Sequence, residues 1–339
     1  MIDAFHATPP FAPDAAIPPS TAEAPAFRTD ISRKNQSCRQ FLGPQTMKCG
    51  IEQDEWTMVR ALVQPNDTVL ELGARFGTTS CELAAATRNT GFVVSVEPDV
   101  DAVPYLLQNR RQQQCAFHIL QDVVGQQPVV FWPSVFSDGY SSATTPAPER
   151  MSPQSTQRKI AARAFTQIES LIGGRRFNVA LVDCEGCIDF SLSPELLQQL
   201  DFLLWEEDGH SVISNRRWYH RLTAYGFLLH WRIHDTFDPR RQAWSRLGVH
   251  SAWVKRSAAS ARKMPSCGEY KAKHKLDDDM LHCGNANLVN GSKLARQAGV
   301  HAVHFASGLA KPNLFDHTCE YDHLRERPLC RVYRGLRAG

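Results

Sequence analysis

VLELGARFGTTS (Val69–Ser80) begins as an apolar run, ends small and polar, and sets Gly73 and Gly77 four positions apart with Glu71 just ahead of them. A buried strand that closes on a glutamate and then turns twice through glycine has two readings. One is a nucleotide-type cofactor laid across the strand's end. The other is a tight strand-to-helix turn that holds nothing. The turn is G-x-x-x-G, so it is not the dinucleotide fingerprint. No Gly-Lys-Ser/Thr follows, so it is not a P-loop.

Outward from this stretch, strands and helices alternate. Gln45–Gln64 reads as a lead-in helix, Thr68–Leu72 as a strand and Thr78–Thr87 as a helix capped by Thr78 or Thr79. Phe92–Val96 is a second strand, Val100–Gln114 a helix and Phe117–Leu120 a third strand. Val129–Trp132 reads as a small added strand, Ser134–Gln157 as a loop and Arg158–Ile172 as a helix. Strands follow at Phe177–Val182, Phe202–Trp205 and Phe227–Trp231, with helices at Glu195–Leu200 and Asn215–Tyr225, and a last strand over Gly248–Val254. This alternation predicts an α/β fold: a doubly wound, mostly parallel Rossmann-like sheet covered on both faces.

Such sheets bind ligands outside the carboxyl ends of their strands. Each of those ends carries an acid: Glu71, Glu97, Asp122, Asp183 with Glu185, and Glu206-Glu207-Asp208. Glu97 follows Gly73 at about the ~20-residue spacing at which this fold presents a carboxylate to ribose hydroxyls. Each acid also has a plainer explanation. Glu71 and Glu97 suit helix N-termini, Asp183 and Glu185 suit a turn, and Glu206–Asp208 suit a solvated strand end. His210 reads as a general base or as a surface histidine.

The absence of a phosphate cradle favours a cofactor without phosphates, and S-adenosylmethionine is one. At this point the chain resembles class I S-adenosylmethionine-dependent methyltransferases, and within them the FkbM family. "GARFG", "EPD" and "DCEG" (Asp183–Gly186) stand where that family has a GAN-x-G-like turn, an EP and a D-x-EG motif, in the same order from about Thr68 to Glu207. The resemblance implies methyl transfer, to an oxygen of a small molecule or glycan. It places Glu71, Gly73 and Gly77 along the methionine part of the cofactor, Glu97 at the ribose, and Asp122 with Val123 at the adenine edge. Asp183, Glu185 and His210 become the candidates at the reacting end, with Asp183 also touching the cofactor. Arg75 departs from the small amide residue usual in the turn, Cys187 from a small residue, and "LLWEEDG" from the usual strand end. The alternative is a binding module that kept the fold and lost catalysis.

The 339 residues carry a formal net charge of +3, with no dense Lys/Arg stripe, so no nucleic-acid partner is expected. Arg110-Arg111 and Arg216-Arg217 read as solvated helix faces. No apolar run reaches the ~20 residues of a membrane span. The start lacks a basic-then-apolar signal pattern, so a cytoplasmic chain with reduced thiols is expected. Residues 1–44 form an Ala/Pro-rich tail, 45–256 the methyltransferase domain and 257–339 a Cys/His-containing extension. Of ten cysteines, Cys267, Cys283, Cys319 and Cys330 lie in that extension, where two disulfides would instead imply an oxidising compartment. Cys184 and Cys187 form a C-x-x-C without a second pair at zinc-ribbon spacing, and His301, His304, His317 and His323 match no strong ligand pattern, so no metal is expected.

Overall fold

A computed structural model describes residues 41–44, 52–133, 142–147, 157–207, 215–234, 249–276 and 281–284. The elements follow one another as α1 (Gln53–Leu62), β1 (Val69–Leu72), α2 (Thr78–Ala86), β2 (Val93–Val96), α3 (Val103–Gln112) and β3 (His118–Leu120). Next come β4 (Val123–Val124), β5 (Val129–Trp132), β6 (Ala143–Pro146), β7 (Arg158–Ile160), β8 (Ala162–Arg163) and α4 (Phe165–Ile168). The chain continues through β9 (Val179–Val182), α5 (Ile188–Ser191), α6 (Pro194–Gln199), β10 (Phe202–Glu206) and α7 (Asn215–Ala224). It closes with β11 (Phe227–His234), β12 (Val249–Lys255), α8 (Cys267–His274) and β13 (Leu281–Cys283).

The main sheet has the order β13-β11-β12-β10-β9-β1-β2-β3. From β3 to β10 every pairing is parallel, and β12 then runs against both β10 and β11. The chain therefore adopts an α/β, Rossmann-like fold. Its central strands β1, β2 and β9 are buried at every residue, as continuous apolar runs covered on both faces require. On one face α1 (Met58, Val59, Leu62), α2 (Leu83, Ala84) and Leu106 of α3 close the core. On the other face Ile188, Leu196, Leu197, Trp218 and Leu222 do so.

Two expectations change. Arg158–Ile172 is not one helix: Arg158–Ile160 pairs with Val129–Phe131, Ala162-Arg163 pairs with Val123-Val124, and only Phe165–Ile168 and a 3-10 turn at Glu169–Ile172 are helical. Strand partners far along the chain override a good local helix propensity. The presumed loop 134–157 contributes β6, which pairs with β5. Residues beyond the expected break after Arg256 pack against the sheet: β13 adds to it beside β11, Tyr270 stacks on Trp231 at 4.3 Å, and the buried Arg262 bonds Asp67 at 2.6 and 2.8 Å.

The cysteines also depart from the reduced expectation. All six described ones are bonded, as Cys81–Cys115, Cys184–Cys187 and Cys267–Cys283. Such pairing is favoured in oxidising compartments. Cys319, Cys330 and the histidines from His301 onward lie outside the described residues. No described helix is long and apolar enough to cross a membrane.

Candidate functional site

Parallel pairing carries the register past the strand ends. Leu72 stands level with Val96 and with Val182, and Val182 with Trp205. One residue further on, Glu97, Gly73, Asp183 and Glu206 therefore form a single row across four neighbouring strands. Glu206 is paired in turn with His250 of β12. Side chains alternate along strands. Asp183 and Glu206 sit two residues beyond Leu181 and Leu204, and His250 two residues before Ala252, all three of which face α1 and α2. The row therefore points to that side.

A cleft of about 970 Å³, part of it open to solvent, lies over the row. Gly73, Glu97, Asp122, Val123, Asp183, Glu185, Glu206 and His250 all line it. Val96, Pro98, Val124 and Phe131 add apolar wall.

Glu97 is held before any ligand arrives. Its carboxylate accepts the backbone N–H of Arg75 at 2.8 Å and that of Asp99 at 2.7 Å. The Arg75 side chain turns past it to bond Asp99 at 2.7 Å. Burial still pushes the Glu97 carboxyl above its usual range, although Arg75 and the two N–H groups oppose this. Asp122 is less free. It pairs with Arg163, and its other oxygen accepts its neighbour Val123's N–H at 3.0 Å.

Further along the row, desolvation, and then the neighbouring Glu206 carboxyl with which it shares a hydrogen bond, hold the Asp183 carboxyl well above the usual range. The loop that follows is pinned by β6: Thr144 donates its N–H to the Glu185 carbonyl at 3.2 Å and its hydroxyl to that of Cys184 at 3.3 Å. The Cys184–Cys187 bridge closes the same loop, and both cysteines line the cleft.

Two expected residues stand apart from the cleft. Glu71 is fully buried between β1 and α2, where Ser80 donates to it at 2.5 Å. It points into the protein because it lies two residues before the row, deep in the sheet. Gly77 caps α2 in the left-handed region at φ 85°, and a Cβ there would meet Leu106 at 2.6 Å. It serves packing. His210 and Asp208 lie outside the described residues.

Sequence reasoning missed Glu52, Phe131 and His250. Glu52 precedes α1 and accepts the Thr78 hydroxyl, and burial raises its carboxyl too. Its signal in "EQDEW" reads only as acids at a helix start. Phe131 was placed on an added strand with no role. His250 sits at the start of the antiparallel strand, where no motif marks it. Among the described residues, no cluster of three or more His, Cys, Asp or Glu is placed to hold a metal ion.

No family model matches the chain, and no curated protein is similar to it. Among solved structures it is similar to precorrin-6y C5,15-methyltransferase from Geobacter metallireducens, at 10% identity and TM-score 0.37 over 64% of this chain and 94% of that one. It is also similar to Aeropyrum pernix fibrillarin with natively bound S-adenosyl-L-methionine, at 14% identity and TM-score 0.33 over 60% and 74%. A third is the Bacillus cereus O-methyltransferase in complex with S-adenosylhomocysteine, at 13% identity and TM-score 0.35 over 60% and 81%. Likeness this remote assigns neither cofactor nor acceptor to this chain.

Proposed function

We propose that the cleft binds S-adenosylmethionine and that the chain transfers its methyl group to an oxygen of a small molecule or glycan. The observation that carries this reading is the row Glu97–Gly73–Asp183 beneath one cleft. It sets a pre-aimed carboxylate, a residue with no side chain and a partly buried acid on three neighbouring strand ends.

The residues present suit that cofactor. Each oxygen of Glu97 takes one N–H and keeps a lone pair, so the carboxylate still accepts the two O–H groups of a ribose. Val96, Pro98, Val123 and Phe131 offer an apolar slot for a purine. Gly73 leaves the strand end open for the amino-acid portion, which Glu52 and Asp183 flank. When bound, the cofactor supplies a methyl already activated on a sulfonium, so the protein's task is alignment and removal of the acceptor's proton.

The charge of the lining supports a neutral or cationic acceptor. Glu52, Glu97, Asp122, Asp183, Glu185 and Glu206 face Arg75 and His250. A polyanion would be repelled here, since phosphate contacts rely on Lys and Arg.

Isothermal calorimetry with S-adenosylmethionine and S-adenosylhomocysteine tests the reading. We expect saturable binding of both. No heat from either at millimolar concentration overturns it.

A further inference from the structure

We infer that His250 takes the proton of the methyl acceptor, so that the Glu206–His250 end of the cleft is the acceptor's subsite. The inference rests on the proposed reading of the cleft and adds to it the residue that meets the acceptor.

His250 is 7% exposed and lines the cleft, and its Nδ1 is buried with no hydrogen-bond partner. A buried ring nitrogen without a partner is costly, and such groups call for an explanation. Two other described histidines have local partners. His230 bonds the Pro265 carbonyl at 3.0 Å, and His274 packs on Tyr270 at 4.4 Å. His250 alone among the described histidines borders the cleft.

Position separates the two ends of the row. Glu97, with the apolar slot beside it, lies on β2's side of Gly73. His250 lies on the other side, beyond Asp183 and Glu206. A cofactor laid from Glu97 across Gly73 brings its reacting end to Asp183, and the next space along the row is bounded by Glu206 and His250.

Chemistry favours the imidazole over the carboxyl. Asp183 shares a hydrogen bond with Glu206, and its carboxyl is held well above the usual range. The Asp183 carboxyl is thus already engaged by its neighbour, whereas Nδ1 of His250 has no partner. A neutral imidazole accepts one at physiological pH. As the acceptor oxygen bonds to the methyl carbon, the carbon–sulfur bond breaks and its electron pair stays on sulfur. The acceptor's O–H proton passes to His250, and the imidazolium returns it to water after release. Glu206, directly across the ladder, stabilises that imidazolium.

The acids at this end of the row are Glu206 from β10, Asp183 from the end of β9, Glu52 from the approach to α1 and the buried Glu55 of α1, which act on one another through space. On β11 the partner of His250 is the apolar Ile233. Glu207, next in sequence to Glu206, is turned elsewhere: it accepts Tyr219's hydroxyl and bonds Arg232 at 2.6 Å.

The test needs no identified acceptor. In the full-length protein with ¹³C-labelled histidine, the His250 ring signal is assigned by its loss in His250→Gln. It is then titrated with S-adenosylmethionine and with S-adenosylhomocysteine, which differ by one methyl and one positive charge. We expect the midpoint to be lower with the former by about one unit. In parallel, the slow formation of S-adenosylhomocysteine with water as acceptor should fall at least tenfold in His250→Gln and lose its rise with pH. The affinity of that variant for S-adenosylhomocysteine should stay within threefold. Equal midpoints, or a variant with the parent's rate and profile, overturn the inference while the cofactor reading stands. If calorimetry shows that neither ligand binds, both fall.

Discussion

Gly73 and Asp183 touch so closely that a Cβ on Gly73 would sit 1.6 Å from the Asp183 carbonyl oxygen. The glycine also holds φ 97°, which side-chain-bearing residues rarely adopt. Its first duty is to let the ends of β1 and β9 meet, and on the proposed reading the open path for a cofactor is a second consequence of the same close approach. Gly73→Ala should therefore lower stability by about 3 kcal/mol or more, since backbone must move and strain is added. Urea unfolding checks this. A Gly73→Ala protein as stable as the parent would show that the two strand ends do not approach in this way.

Glu97 carries both structure and binding. Glu97→Ala removes the acceptor of two backbone N–H groups and, on the proposed reading, of two ribose hydroxyls. Charge-assisted bonds are worth ~1.5–3 kcal/mol each. The dissociation constant for S-adenosylhomocysteine should rise at least ten- to a hundredfold, measured by calorimetry on a variant whose melting curve shows it folded. Unchanged affinity would remove Glu97 from the ribose position.

Glu71 makes a statement about pH. It is fully buried, Oε1 has no partner, and burial raises its carboxyl from 4.5 to about 8. Because the folded value lies above the unfolded one, the folded state binds the extra proton. This contribution is whole below pH ~4.5 and is lost as pH rises towards about 8, by up to ~1.4 kcal/mol per unit. Glu71→Gln, neutral throughout, should flatten that fall. Unfolding free energies compared at pH ~5.5 and ~7.5 should converge in the variant relative to the parent. A slope identical to the parent's would mean that Glu71 is ionised in the fold.

The fold was legible because its central strands are continuous apolar runs closed by turn residues, and β1, β2, β9 and β10 fall where those runs are. The acids at the strand ends were legible for the same reason: a parallel sheet aligns residues that follow such runs. Depth was not legible from the motif alone. Glu71 and Asp183 both sit at strand ends, yet two residues of depth separate a carboxyl locked against α2 from one at the cleft. His250 escaped notice because it begins an antiparallel strand. Its place in the row depends on pairing with Glu206, a long-range register that no local pattern encodes. β7 and β8 were hidden likewise, their partners lying far back in the chain.

The ion pair between Arg262 and Asp67 binds residues beyond the expected domain end to the first loop of the fold. Arg262 gives Asp67 two bonds and donates a third to the Leu62 carbonyl at 3.0 Å, with its guanidinium 4.9 Å from the centre of the Phe202 ring. Both side chains are almost wholly buried. Removing one partner leaves the other charge buried and unpaired, which typically costs ~3–5 kcal/mol. Arg262→Ala should therefore destabilise the whole domain, with one cooperative transition shifted to lower urea. Lysine should not restore it, because a point charge cannot make the forked contact to both carboxylate oxygens and the carbonyl. Asp67→Asn combined with Arg262→Ala should cost less than the two single changes added together, because neither charge is then stranded. If instead only a separate, minor transition moves in Arg262→Ala, residues 257–284 fold as their own unit and the original boundary after Arg256 stands.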